Sequence, residues 1–155
     1  AQTGAATKLL IVGRTAWKAG PTFEAYQRLQ FRHDVHLTGR VGDEELVQLY
    51  AAALATAYVP YFEGFGIPII EAQACGSPVI TSNCSSLPEV AGGAACLVDP
   101  FQVPSIADGL ARVQADAAYR AQLTEHGFRN AQRFSWDQSA RALWEALLRV
   151  VPALQ

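Results

Sequence analysis

The chain has 155 residues, 50% of them hydrophobic and 17% charged, and its formal net charge at pH 7 is −2. This length and composition are typical of one soluble globular domain and exclude a disordered chain. The sequence has no basic cluster with interleaved aromatic residues, which argues against a nucleic-acid partner and against binding to an anionic membrane surface. It also has no apolar run near the ~18 residues of a membrane span and no secretory signal, so we expect a cytoplasmic protein.

Apolar strands and helices alternate along the chain as far as Pro100. Strands of nearly continuous apolar residues that are separated by helices indicate a parallel sheet with helices on both faces. The sequence therefore predicts a doubly wound, Rossmann-like α/β domain with a parallel sheet of about five strands. The predicted strands are residues 8–13, 35–39, 56–61, 78–82 and 95–98, and the predicted helices are residues 21–30, 44–54, 67–75 and 87–91.

The chain after Pro100 is predicted to be helical. Apolar residues recur there at helical spacing, and no further strand is indicated. We expect helices over residues 104–115, 117–133 and 137–151, each with an apolar stripe that faces the core. Residues 1–155 are therefore interpreted as a single domain with C-terminal helices.

The three cysteines, Cys75, Cys84 and Cys96, lie in apolar or small-residue surroundings. Their odd number and the lack of a Cys-x-x-Cys pair argue against a disulfide framework and against a zinc site. We expect reduced, buried thiols. His33 and His36 have a spacing that suits two metal ligands on a helix, but His36 lies in a predicted strand, so we expect no metal site there.

One stretch, residues 63–71 with the sequence Glu-Gly-Phe-Gly-Ile-Pro-Ile-Ile-Glu, joins the third predicted strand to the third predicted helix. Gly64 and Gly66 lack Cβ, which permits a positive φ and lets a ligand approach the backbone closely. Pro68 suits the start of a helix, so we expect this helix to begin near Ile67. The unpaired N–H groups of a helix start, together with the positive end of the helix dipole, form a site for phosphate.

Two glutamates bracket this turn. Glu71 lies one turn into the helix, and because helical side chains lean toward the N-terminus, its carboxylate would face the opening that Glu63 lines from the loop. Both acids could then bind one ligand. Two simpler interpretations stay open: the helix dipole favours an acid at position 71 without any ligand, and Glu63 could be a solvated loop acid.

Ligands of doubly wound sheets bind beyond the carboxyl ends of the strands, where Gly13, Gly39, Glu63 and Ser82 fall. We therefore expect four loops to converge on one cleft. No Lys or Arg occurs from residue 41 to residue 111. A phosphate in this cleft would depend on helix amides, on residues outside this chain, or on basic side chains of the first two loops. These side chains are Arg14, Lys18 and Arg40.

The pattern Glu-Gly-Phe-Gly-Ile-Pro, followed by Glu-Ala-Gln-Ala-Cys-Gly-Ser-Pro-Val-Ile with seven residues between Glu63 and Glu71, resembles the signature of family 4 retaining glycosyltransferases. The resemblance continues through residues 81–90, 97–100 and 134–136, so it covers nearly the whole chain. It implies the donor-binding half of a two-domain GT-B fold, and an activity that moves a sugar from a nucleotide sugar to an acceptor. It implies no metal ion and no other cofactor.

The resemblance also implies roles for individual residues. Glu63 would be the catalytic residue and would hold hydroxyl groups of the donor sugar, together with the backbone N–H groups of the next three residues. The N–H groups near Ile67 would bind the phosphate, and Glu71 would accept hydrogen bonds from the ribose hydroxyls. The backbone of Arg40 would lie against the base. The three residues that follow Glu63 are Gly64, Phe65 and Gly66.

The chain departs from that family at its N-terminal side. The family's donor half normally opens with an additional strand and helix, which carry an Arg and a Lys for the diphosphate, and the acceptor-binding first half precedes them. Neither has a counterpart here. The predicted sheet then either closes up to five strands or leaves a gap that a partner fills, for example in a homo-oligomer. A smaller departure is Gln73, where methionine is commoner and which we expect to matter little.

Two functions stay open on the sequence alone. The first is an enzyme, a retaining hexosyltransferase that is active only together with its acceptor-binding domain and is cytoplasmic or, at full length, peripheral to the membrane. The second is a stand-alone module that binds a nucleotide or nucleotide sugar without transfer, because catalysis needs an acceptor held against the donor. An oxidoreductase is a weaker third interpretation, since no Gly-x-Gly-x-x-Gly follows a strand.

Overall fold

The computed structural model describes residues 7–14 and 20–151. The chain divides into two compact units, of which the first ends at Leu46 and the second begins at Val47. Each unit contains parallel strands and helices, which confirms the predicted α/β class. One domain can comprise two such units, so the single domain expected from the length stays a prediction.

The first unit contains a parallel two-stranded sheet. β1 (Leu9–Val12) pairs with β2 (Val35–Gly39), and between them lie α1 (Gly20–Gln27) and a 3-10 turn over Arg32–Asp34. The apolar residues of β1 predict a buried strand, but all four of its side chains are 39–50% exposed. None of the described residues of this unit is buried. The prediction of burial is therefore wrong for β1, because strand composition does not determine what covers a strand.

The second unit contains a parallel three-stranded sheet with the order β3-β4-β5. The central strand β4 (Val79–Ser82) is buried throughout, and its successive side chains point to opposite faces. Val79 belongs to one buried cluster with Ile69 and Leu87, whereas Ile80 belongs to another with Val98. Helices thus cover both faces of this sheet, as a doubly wound fold requires.

The elements of the second unit follow one another in the predicted order. α2, which begins in the first unit, is Asp43–Ala52. It is followed by β3 Thr56–Tyr58, α3 Ile67–Ala74, β4, α4 Leu87–Ala91, β5 Ala95–Val98, α5 Val103–Ala115, α6 Ala117–Ala131 and α7 Trp136–Val150.

Among the helices of the described ranges 7–14 and 20–151, none is both long and apolar enough to cross a membrane.

The pairing of the strands differs from the prediction. The sequence predicts one sheet of about five strands, and the structure has two sheets, of two and three strands. In the part of the chain that the structure describes, β1 pairs only with β2, and β3 pairs only with β4. Among the described strands, the predicted five-stranded pairing is therefore not observed. Pairing depends on contacts between distant residues, which the periodicity along the chain does not encode.

A buried polar network joins α3, α4 and α6. The side-chain amide of Gln73, 1% exposed, donates to the carbonyl oxygens of Ala91 and Ala94 at 3.4 and 3.1 Å. Its oxygen accepts from Asn130 Nδ2 at 2.7 Å, and this amide group also donates to the carbonyl of Val90 at 2.8 Å. A buried polar side chain that loses such partners destabilises a fold by about 1–3 kcal/mol. Gln73, expected to matter little, thus links three helices.

The three cysteines are free thiols, and they differ in burial. Cys96 is 5% exposed, as predicted for a buried thiol. Cys75 and Cys84 are only partly buried, so the prediction is wrong for these two. Cys75 caps the C-terminus of α3, and Cys84 lies in the loop after β4, where its thiol donates to the carbonyl of Tyr61 at 3.4 Å. Helix ends and loops lie nearer the surface than the apolar composition indicates.

Candidate functional site

The turn between β3 and α3 has the predicted shape. α3 begins at Ile67, with Gly66 as its N-cap and Pro68 in its first turn. Gly66 has φ +108°, and a Cβ built on it would lie 2.8 Å from Cδ2 of Leu87. Gly64, where the sequence also permits a positive φ, does not have one, and a Cβ there would meet no atom within 4 Å. The two glycines therefore differ: packing and backbone require Gly66, whereas Gly64 leaves open space beside the backbone.

A serine pair after β4 holds the turn in place. Ser86 Oγ lies 2.8 Å from the carbonyl oxygen of Glu63 and 2.9 Å from that of Phe65. The N–H of Glu63 donates to Ser85 Oγ at 3.3 Å. A trans peptide group is planar, with its N–H directed opposite to its C=O. Because Ser86 holds these two carbonyls on its own side, the N–H groups of the following residues, at positions 64 and 66, point away from it.

Consecutive backbone donors of this turn are unpaired. Among residues 7–14 and 20–151, no acceptor is found for the N–H groups of Gly64, Phe65, Gly66 and Ile67. In the first turn of α3 the free amide is that of Ile67, because Pro68 has no N–H and the N–H of residue 69 donates to the carbonyl of Gly66 at 3.0 Å. The loop supplies the other three donors. Adjacent N–H groups at the positive end of a helix form a site for an anion.

The ring of Phe65 packs against another aromatic ring of the second unit. It contacts the ring of Phe134 edge-to-face, with ring centroids 5.8 Å apart, and the residue remains 46% exposed. This contact orients the side chain of Phe65 beside the turn.

Each glutamate of the turn accepts a hydrogen bond from a tyrosine. Tyr58 Oη donates to Glu63 Oε2 at 2.8 Å, and Tyr50 Oη donates to Glu71 Oε2 at 3.3 Å. Burial, and then the neighbouring carboxylate, raise the pKa of each of these tyrosines to about 12. Both phenols therefore remain protonated donors at neutral pH. Sequence reasoning missed them because Tyr58 falls in the third predicted strand and Tyr50 in the second predicted helix, where each matches the pattern of its element.

The predicted basic residues lie in the first unit. Arg40 follows Gly39 (φ +70°) at the end of β2, and its side chain is exposed. Arg14 is exposed after β1, and Lys18 lies outside the described residues. Within the second unit, Ser82 Oγ donates to the carbonyl of Pro60 at 2.6 Å, which joins the loop after β4 to the loop that leads to Glu63. The six other predicted site residues lie together in this turn and the first turns of α3.

A family model and one solved structure agree with this architecture. Residues 1–130 match the family described as glycosyl transferases group 1. Sucrose-phosphate synthase from Thermosynechococcus elongatus superposes with a TM-score of 0.83 at 28% identity, over 94% of this chain and 39% of that one. The fold of this chain is therefore similar to that of about two fifths of a GT-B glycosyltransferase.

Further relatives agree in sequence and in structure. The O-antigen chain mannosyltransferase B of Escherichia coli is 37% identical over 129 residues, which are 83% of this chain and 34% of that protein. HepE of Anabaena, solved in complex with UDP, has a TM-score of 0.80 and 25% identity, over 91% of this chain and 40% of that one. The chain thus spans about a third of the length of the curated relative.

Proposed function

The chain belongs to the glycosyl transferases group 1 family, and on this premise we propose that it is the donor-binding half of a retaining glycosyltransferase. The proposed reaction moves a hexose from a nucleotide sugar to an acceptor. The observation that carries the proposal is the turn at residues 63–67. Four of its N–H groups have no acceptor among the described residues, and they lie along the chain between two carboxylates that each accept from a tyrosine. The presence of UDP in the similar structure of HepE supports a nucleotide ligand.

The chemistry of the turn suits a sugar diphosphate. The N–H group of Ile67, at the positive end of α3, stabilises the negative charge that develops on the leaving diphosphate. Glu63 accepts hydrogen bonds from hydroxyl groups of the donor sugar, next to the N–H groups of Gly64, Phe65 and Gly66. Glu71 accepts from the ribose hydroxyls. No metal ion or other cofactor enters this proposal.

Further parts of the enzyme complete the proposed site. We assign the acceptor, and additional basic groups for the diphosphate, to a domain outside this chain, because the matched residues make up only 34% of the O-antigen chain mannosyltransferase B. In the described residues β1 has one unpaired edge, where a strand of another domain or of a second copy could pair. The proposed location is the cytoplasm, with the complete enzyme peripheral to the membrane as the alternative.

Loss of the second acid should weaken nucleotide binding. In the complete protein we expect Glu71→Ala to reduce the affinity for a nucleoside diphosphate by about 1.5–3 kcal/mol, because a charge-assisted hydrogen bond to the ribose is lost. Titration calorimetry measures the change. Glu145→Ala, an exposed acid on α7, is the matched control and should have no effect.

A ligand without ribose hydroxyls provides the second arm of this test. A 2′,3′-dideoxy nucleotide should bind the parent protein about as weakly as the ribonucleotide binds Glu71→Ala. Equal affinity of the parent protein for the deoxy and ribo forms would make Glu71 a helix-dipole acid, the simpler interpretation of its position.

The chain by itself should bind the donor weakly and transfer nothing. Its N–H groups are in place, but it contributes no Lys or Arg from residue 41 to residue 111 and no acceptor domain. We expect a Kd of about 0.1–10 mM, or about −2.7 to −5.5 kcal/mol. Ligand-observed NMR with UDP, GDP, ADP and their sugars measures binding and ranks the base. Micromolar binding or turnover would contradict the proposed dependence on a further domain.

The second candidate function is binding without transfer, favoured by a turn that is rich in N–H donors for a diphosphate. The two candidates differ in one measurement. Sugar transfer by the complete protein, with GDP-mannose or UDP-glucose as donor, supports the enzyme. Donor binding without transfer supports the binding module.

A further inference from the structure

Tyr58 and Tyr50, which donate to Glu63 and Glu71, make no contact with the donor in the proposed function. We infer that Tyr58 and Tyr50 are positioning residues that divide the donor between them: Tyr58 fixes the acid for the sugar, and Tyr50 fixes the acid for the nucleotide. The inference rests on the proposed function, since it names what each acid binds. It is distinct from a purely structural role, because it predicts a different response for each half of the ligand.

The backbone of Tyr58 is held by the neighbouring strand β4. It is the last residue of β3, and its carbonyl oxygen accepts from the fully buried Thr81 Oγ1 of β4 at 2.7 Å. The backbone of Glu63 is held by Ser85 and Ser86, so the strand fixes one end of the glutamate and the serine pair fixes the other. One carboxylate oxygen accepts from the phenol, which leaves the other to accept from a ligand.

Tyr50 makes the corresponding contact from α2. Its bond to Glu71 is longer, 3.3 Å against 2.8 Å, and Glu71 is exposed whereas Glu63 is half-buried. Both rings pack against the buried cluster that contains Ile69 and Leu87. A Tyr→Phe change therefore removes the hydroxyl and keeps the packing of the ring, which separates positioning from stability.

The expected effect is an entropic one. A glutamate side chain that is free to rotate must be ordered when the ligand binds, and a phenol that orders it beforehand removes that cost. Loss of the hydroxyl should therefore reduce affinity by about 3- to 10-fold. A phenol is protonated at neutral pH in any case, and burial raises the pKa of both tyrosines to about 12, so the two bonds also persist in mildly alkaline assays. Tyr50→Phe should lie at the lower end of this range because its bond is longer.

The experiment compares two single variants with two kinds of ligand. Tyr50→Phe and Tyr58→Phe are made in this chain, and chemical-shift titrations with UDP, GDP, UDP-glucose and GDP-mannose give the relative affinities. Tyr50→Phe should weaken a nucleotide and its sugar by the same factor. Tyr58→Phe should leave the nucleotide unchanged and weaken only the nucleotide sugar. Tyr119→Phe, a partly buried tyrosine in the other cluster, is the control and should change neither.

A second background tests whether Tyr58 acts through Glu63. In a Glu63→Ala variant, adding Tyr58→Phe should cause no further loss of nucleotide-sugar affinity, because the phenol then has no carboxylate to position. The further loss seen in the parent background should therefore disappear. An equal loss in both backgrounds would show that Tyr58 acts on the ligand or the fold directly and would overturn the inference.

The outcomes separate this inference from the proposed function. If the parent chain binds none of the four ligands, both fail. If the parent binds and the two variants lose nucleotide and nucleotide sugar alike, or lose neither, the proposed function stands and the division of roles is wrong. A lower unfolding midpoint with unchanged affinities would assign both tyrosines to the fold alone.

Discussion

Glu63→Gln should lower the turnover of the complete glycosyltransferase by about 10²-fold or more, the effect of removing one well-placed polar group from an active site. The reason is the loss of charge at a fixed position. Glutamine has nearly the same size and can still accept from Tyr58, and the contacts of the backbone with Ser85 and Ser86 do not involve the side chain. The fold should therefore be unaffected. Turnover at saturating donor and a thermal unfolding curve measure the two effects.

The matched control for this variant is Glu145→Gln. Glu145 is exposed on α7, and the same loss of charge there should leave turnover unchanged. Near-wild-type transfer by Glu63→Gln would remove Glu63 from the catalytic role and restore its interpretation as a solvated loop acid. A large loss in both variants would indicate an effect of net charge instead of position.

Gly66→Ala should destabilise the protein by about 2–6 kcal/mol. A non-glycine residue at φ +108° is strained by about 1–3 kcal/mol, and an added methyl in a packed core costs about 1–3 kcal/mol more. The new Cβ would lie 2.8 Å from Leu87, which is fully buried and has little room to shift. Urea unfolding at 25 °C gives the difference, and the slope of the transition should not change.

Gly64→Ala is the matched control, two residues away in the same turn. Its Cβ meets no atom within 4 Å and its φ is not positive, so stability should change by less than about 0.5 kcal/mol. The same methyl would stand beside an unpaired N–H, where a ligand should approach. Gly64→Ala should therefore fold normally and bind the donor poorly. Undiminished binding would mean that the ligand does not reach this part of the turn.

Residues that favour a helix start or a turn predicted the helices and strands of this chain closely. Pro68 and the glycine before it fix the start of α3 at Ile67, and the predicted bounds of β5 and α4 agree with the structure residue by residue. These features depend on neighbouring residues, whose conformational preferences the sequence states directly. The turn at residues 63–71, with Glu63 and Glu71, could be predicted because its glycines, proline and acids are close together in the chain.

Contacts between distant residues were not predictable in this way. Glu63 and Glu71 could be identified as candidate site residues because they are charged residues in an apolar segment. Their partners Tyr58 and Tyr50 could not, because they match the patterns of their strand and helix. Gln73 shows the same limit, because its partners lie 18 to 57 positions away in the chain. Side-chain hydrogen bonds of this kind follow from packing, which a pattern of apolar residues does not specify.

The exposure of β1 determines how the isolated chain should behave at high concentration. Its side chains are apolar and exposed, and along the described residues one edge of the strand is unpaired, a combination that favours pairing between molecules and aggregation. Lys8 and Arg14 flank the strand and act against such association. Colloidal stability at millimolar protein should therefore depend on Leu9–Val12. An Ile11→Lys variant should raise the solubility limit without altering any residue of the turn at 63–71.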